Sequence, residues 1–377
     1  MRTFERNTNF YVRIALKRSV CKHFCTGDTA VIPCRDQHSK PSRHLSRHYF
    51  EHRRIRMSSH STYGFGSLIG LDHIGVGVSD MQASLDFYAQ LGFSDVVFDY
   101  SGPLGGLEQA TGHAATEARV VYLRSINPTV LGRSGVKLVQ LTNRPAAPIP
   151  EGFAYGEPGI CEVCLHVKGQ AEFYESLVSA GHTSLMAPDD QVLEPYQTHC
   201  GLSYVSDPDG AKIELIEWSS LEAGWPHPTG PQGVNHVAFG VHDIDRTEAF
   251  YRALGFTGKL FDASGVNEPM NPWFESVGRV PPVQRMMLLT SPHGGALEPV
   301  QQDPPGADMR GEWGHLGTFE FAIGARNLDL ALAYLKSIDV PLVGEPVEIA
   351  MPDGQVWRYA YFQDPAGLYV SITEVRA

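Results

Sequence analysis

The chain has 377 residues and a formal net charge of −12, enough length for two or three domains and a sizeable core. Residues 1–60 hold thirteen Lys/Arg against four Asp/Glu, so the acidity is concentrated in the remainder, which argues against nucleic acid as a partner. No apolar run reaches the roughly 18 residues a membrane helix needs, and six cysteines in so long a chain make no disulfide framework; a reducing, cytoplasmic setting is the default.

Residues 1–69 read as a basic, disordered extension, rich in Arg, His and Ser and without a sustained apolar period. An Arg-rich, acid-poor start also fits a mitochondrial transit peptide, and a third reading makes Met57 the natural start. From Gly70 the order is regular. Gly70–Asp80 (GLDHIGVGVSD) alternates around small residues as a strand does and returns as Gly233–Asp243 (GVNHVAFGVHD), His73 becoming His236 163 residues later. A helical run follows each copy, Met81–Phe93 and Ile244–Phe256, with Asp80 placed to cap the first.

Strands are then expected at Val96–Tyr100, Ala118–Leu123 and Gly135–Leu141, which completes one βαβββ unit. A Pro-rich linker spans Thr142–Pro158. A second unit opens at Gly159 with the strand GICEVCLHV and a helix over Ala171–Ala180. It closes at Gly201–Trp218, a strand, an Asp-Pro-Asp-Gly turn and a strand. The third unit runs from His236 to near Gln301. The fourth opens at Gly317, has its helix at Leu328–Ser337, and closes with an Asp364-Pro365-Ala366-Gly367 turn. The fold class is therefore α+β, four βαβββ modules in two related halves, 70–219 and 233–377. One module is too small to bury a core, so modules must pair.

Aligning the four units brings eight positions into equivalence. The first strands contribute His73, Glu162, His236 and Glu320; the last strands contribute Lys137, Glu214, Glu298 and Ser371. Four carboxylates in apolar strands are costly unless paired or bound to metal. Imidazole with carboxylates suits one divalent ion such as Zn²⁺, Fe²⁺, Mn²⁺ or Ni²⁺; the alternative for single members is a salt bridge, with Lys137 neutralising Glu162 or Glu214.

On the His-x-x-x-x-Val-x-Asp strands at His73 and His236, the Leu-Glu-x-x-Gln strand at Glu298 and the Asp-Pro-Asp-Gly-x-x-x-Glu segment at Glu214, the body resembles the vicinal oxygen chelate superfamily of glyoxalases, extradiol dioxygenases and bleomycin resistance proteins. The resemblance implies paired modules around a U-shaped cavity, with the metal on these slots. If neighbouring units pair, each site keeps three of four ligands. If inner and outer units pair, Glu162, Glu214, His236 and Glu298 form a complete set, and the outer pair keeps His73 and Glu320; the complete set favours this second arrangement.

The resemblance further implies a lyase or isomerase of small oxygenated substrates that stabilises an enediolate-type intermediate, with Glu214 or Glu162 as base. The alternatives are an extradiol-type dioxygenase, for which His166 would have to supply a second imidazole, and a small-molecule-sequestering protein without catalysis, its cavity lined by Trp273, Phe274, Trp313 and Trp357. Cys161 and Cys164 would point to opposite faces of their strand, and His113, His199, His293 and His315 lie in expected loops. A small molecule is the expected partner, and a monomer or homodimer the expected assembly.

Overall fold

The computed structural model describes residues 65–193, 198–222, 224–226 and 228–376; the basic extension expected over 1–69 falls almost wholly outside the described residues. Every unit has the expected order of elements. The first comprises β1 (Leu68–Gly77), α1 (Met81–Gln90), β2 (Phe93–Leu104), β3 (Thr116–Ser125) and β4 (Gly135–Leu141). The second comprises β5 (Gly159–Lys168), α2 (Gln170–Ser179), β6 (Thr183–Leu193), β7 (Thr198–Ser206) and β8 (Lys212–Trp218). The third has β9 (Gly230–Gly240), α3 (Ile244–Ala253), β10 (Gly258–Val266), β11 (Val283–Thr290) and β12 (Ala296–Asp303). The fourth has β13 (Gly317–Ala325), α4 (Leu328–Ser337), β14 (Val347–Ala350), β15 (Val356–Gln363) and β16 (Tyr369–Arg376). Asp80, Asp243 and Asn327 cap their helices through side-chain oxygens that accept backbone N–H groups of the first turn.

The strands form two eight-stranded sheets, and neither follows the division at 219/233 expected from chain order. One runs β14-β15-β16-β13-β1-β4-β3-β2 and joins units four and one; the other runs β10-β11-β12-β9-β5-β8-β7-β6 and joins units three and two. The seam of each is an antiparallel pair of first strands, β1 with β13 and β5 with β9. Glycine makes each seam possible. A Cβ on Gly77 would collide with the His315 carbonyl, and one on Gly240 with the Glu157 carbonyl, so each repeated glycine admits the chain that enters the partner unit.

Sequence neighbours do meet, but back to back. One buried core takes Ile74, Val76 and Phe321 from the outer sheet, Val163, Ile213 and Phe239 from the inner one, and Phe87, Tyr174, Tyr251 and Tyr334 from the four helices. Two symmetric hydrogen bonds cross it: Tyr88 in α1 donates to Asp207 of unit two at 3.3 Å, and Tyr251 in α3 donates to Asp364 of unit four at 2.8 Å. Apolar burial thus fixes the backs of the sheets and leaves the two concave faces for other chemistry.

Burial pushes the Asp207 and Asp364 carboxyls up to about 6. Raised folded-state values favour folding below the unfolded value of about 3.9 and lose that contribution as pH rises through about 6. Asp364→Asn keeps the turn's shape, so its denaturant-unfolding stability relative to the parent should rise by about 1 kcal/mol or more between pH 4 and 7. Tyr251→Phe leaves Asp364 a partner short and should cost about 1–3 kcal/mol at pH 7.

Candidate metal centre

The register is the same in all four units. In each, the residue two places after the first-strand slot pairs with the last-strand slot: Gly75 with Lys137, Cys164 with Glu214, Ala238 with Glu298 and Ala322 with Ser371. Across the seams these short side chains stand opposite slot residues, Ala238 opposite Glu162 and Cys164 opposite His236, and in the outer sheet Ala322 opposite His73 and Gly75 opposite Glu320. A Cβ at Gly75 would strike the Glu320 side chain. Alternation in the strands then aims the slots into the concave face.

On the inner sheet the structure brings Glu162, Glu214, His236 and Glu298 together. His236 Nε2 lies 3.4 Å from a Glu298 oxygen, 3.5 Å from one of Glu214 and 3.7 Å from one of Glu162. All four residues are buried. His236 Nε2, both oxygens of Glu162 and Oε2 of Glu214 have no hydrogen-bond partner. Burial, together with the charge of Glu298, pushes Glu162 up to about 8, and burial with the charge of Glu162 does the same to Glu214. Orphaned buried donor and acceptor atoms that converge on one point are expensive, and a divalent cation satisfies that set.

The surroundings orient it. Asn235 Oδ1 lies 3.0 Å from His236 Nδ1, as Asp72 Oδ2 lies 2.9 Å from His73 Nδ1. Either partner accepts the Nδ1 proton, which leaves the Nε2 lone pair for a metal. The Tyr155 hydroxyl, from the linker before β5, donates to Glu298 Oε1. Cys164, Glu214 and His236 each offer a ligand atom within 4.8 Å of the others. Burial pushes the Cys164 thiol well up, so it stays protonated unless a cation binds beside it.

Neither Tyr155 nor Cys164 occupies one of the eight aligned slots. Tyr155 carries no sequence signal. Cys164 does: it is the one thiol at a place where the other units have Gly75, Ala238 and Ala322. A register irregularity between Ile160 and Glu162 also undoes the expected alternation of Cys161 and Cys164; Cys161 shares a buried cluster with Tyr155 and Trp273, and both thiols are free.

On the outer sheet Lys137 takes the place of a cation. Its ammonium pairs with Glu320 rather than with Glu162 or Glu214, lies 3.3 Å from the Tyr361 hydroxyl, and sits over the rings of Trp357 and Tyr361. Trp313 Nε1 donates to the other Glu320 oxygen at 3.1 Å. His73 Nε2 is 3.9 Å from Glu320, and burial, with Lys137 nearby, holds its imidazole below the ordinary value. Trp313 and Trp357 pack here against Phe98, Tyr122 and Tyr359, so they fill the concave face rather than line a void. His315, expected in an open loop, is buried against Phe319 with Nδ1 at 2.6 Å from the Leu316 carbonyl.

The inner face stays open. A cavity of about 180 Å³ is lined by Glu214, His236 and Glu298 and by Tyr155, Tyr204, Ile216, Trp218, Phe261, Met270 and Met286 among others. His166 is buried on β5 opposite Ile216 and does not line it.

Two curved sheets of paired βαβββ modules, one with a buried carboxylate–imidazole cluster under an apolar cavity, define a glyoxalase-type paired-module fold. Residues 70–215 match the model of the Glyoxalase/Bleomycin resistance protein/Dioxygenase superfamily, and the chain carries a domain of that superfamily. Its fold is similar to that of a point mutant of glyoxalase I from Zea mays, at 13% identity and a TM-score of 0.53, over 84% of this chain and 96% of that one. Glyoxalase I from Zea mays itself superposes with a TM-score of 0.50 at 14% identity, over 81% of this chain and 92% of that chain. In sequence, the chain is 30% identical over 96 residues to a 1,2-dihydroxynaphthalene dioxygenase from Sphingobium xenophagum, a match of 23% of this chain and 32% of that enzyme's length.

The contrast between the faces is measurable. Lys137→Met strands Glu320 as a buried lone charge and should cost about 3–5 kcal/mol in denaturant unfolding, whereas Lys137→Met with Glu320→Leu should restore most of that loss.

Proposed function

We propose that this protein is a metal-dependent lyase or isomerase of small oxygenated substrates, with a single catalytic centre on the inner sheet. The observation that carries this reading is the buried set Glu162, Glu214, His236 and Glu298, in which His236 Nε2, both Glu162 oxygens and Glu214 Oε2 have no hydrogen-bond partner, beneath the one apolar cavity that reaches it among those described. His236, Glu298, Glu162 and Glu214 would hold a divalent ion, Glu214 loosely at the cavity wall. Bound there, the ion would act as a Lewis acid toward two adjacent substrate oxygens. Glu214 lines the cavity and has an unpartnered oxygen, so it is the group placed to take a proton from substrate carbon and return it. Tyr155 holds Glu298 in place, and Asn235 fixes the His236 tautomer.

The outer cradle carries no second centre in this reading, because Lys137 supplies its positive charge. The ring-cleaving alternative draws on the dioxygenase match, but the inner slots offer one imidazole where a two-histidine, one-carboxylate iron site needs two.

Elemental analysis of the full chain after reconstitution should give about one divalent ion per molecule, lost in Glu214→Ala or His236→Ala and kept in His73→Ala. In D₂O the metal-loaded chain should exchange the carbinol hydrogens of 2-hydroxyacetophenone, at least about 10²-fold slower in Glu214→Gln. Oxygen uptake with 1,2-dihydroxynaphthalene and no such exchange would replace this reading with the dioxygenase one. No bound metal in any variant would leave a binding protein.

A further inference from the structure

The wall of the inner cavity also bears on what enters it. Its volume of about 180 Å³ is below the roughly 300 Å³ at which drug-sized pockets begin, and close to the roughly 150 Å³ that holds one benzene ring. Its acidic wall residues are Glu214 and Glu298, beside His236, and among the described residues no Lys or Arg lines it. The cations on the adjoining strands are already engaged: Lys259 pairs with Glu248 and Asp262, and Arg285 with Asp262 and Asp245. Most of the rest of the wall is apolar or aromatic, including Trp218, Phe261, Tyr204, Ile216, Met270 and Met286, with Gln191 and Asn267 among its polar members. Trp218 of β8 and Phe261 of β10 stand 6.1 Å apart, tilted by 43°, an aromatic corner in the cavity wall.

We propose that Trp218 and Phe261 are the specificity-determining residues of this site, and that they select substrates whose vicinal oxygens sit on an uncharged, planar apolar body. Substrates carried on glutathione, coenzyme A or another polyanion are rejected. This rests on the metal reading above and adds to it. An anionic carrier would lose its hydration against Glu214 and Glu298 with no protein cation to replace it. A flat ring loses nothing polar and gains stacking against Trp218 and Phe261.

The test separates the two readings. Calorimetric titration of the zinc-loaded full chain compares acetohydroxamic acid, benzohydroxamic acid and S-benzylglutathione. The first reports the metal, the second adds a ring, and the third offers a ring on a net-anionic carrier with two carboxylates and one ammonium. Benzohydroxamic acid should bind at least about tenfold tighter than acetohydroxamic acid, and S-benzylglutathione at least about tenfold weaker than benzohydroxamic acid. Trp218→Ala, or Phe261→Ala as the second variant, should cut the ring's advantage to less than about threefold while acetohydroxamic acid binds as before. If acetohydroxamic acid binds but the ring adds nothing, or S-benzylglutathione binds as tightly as benzohydroxamic acid, this proposal is overturned and the metal reading stands. If neither hydroxamate binds the zinc-treated chain, the metal reading has failed and this one falls with it.

Discussion

Buried negative charge needs a cation, and the two concave faces answer that need differently. Each seam sets first-strand slots beside last-strand slots in an apolar sheet, and the same register puts ionisable groups together twice. On the outer face Lys137 meets Glu320, so the charge is neutralised by the chain's own side chain and aromatic rings close over it. Among the described residues no lysine lines the inner cavity, three glutamates surround one imidazole, and His236 Nε2, both Glu162 oxygens and Glu214 Oε2 lack partners. A buried pair closed by lysine is inert; an unclosed cluster under a cavity can bind and polarise a ligand.

The seam explains why the pairing is inner with inner and outer with outer. Neighbouring units in the chain share the central core through their backs, with the Tyr88–Asp207 and Tyr251–Asp364 bonds crossing it. That leaves the first strands free to join across the longer separations. Gly77 and Gly240 then let the incoming chain lie against the strand ends. One chain thereby builds by internal repetition what two copies of a smaller protein would otherwise have to assemble.

Much of this was legible before any coordinates. The 163-residue repeat, the capping Asp80 and the Asp-Pro-x-Gly turns are local signals, and they marked the units because strand and helix periods are set locally. The eight slots were found by alignment because the same position in each module faces the same cavity. The pairing of modules was not fixed by any local signal. It depends on which backs share a core, and only the completeness of the Glu162, Glu214, His236, Glu298 set hinted at it. The partner of Lys137 depends on that pairing, so the sequence alone offers Glu162 or Glu214 where the structure has Glu320. Tyr155 was invisible because a linker residue has no period to betray where its hydroxyl ends.

The most direct test of this account is an anomalous-scattering map from crystals of the full chain grown with Zn²⁺ and measured at the zinc edge. One peak per molecule among His236, Glu162, Glu214 and Glu298, with none beside His73 and Glu320, is the expected result. A peak in the outer cradle, or none on the inner face of a zinc-saturated crystal, would contradict the division of labour between the two sheets.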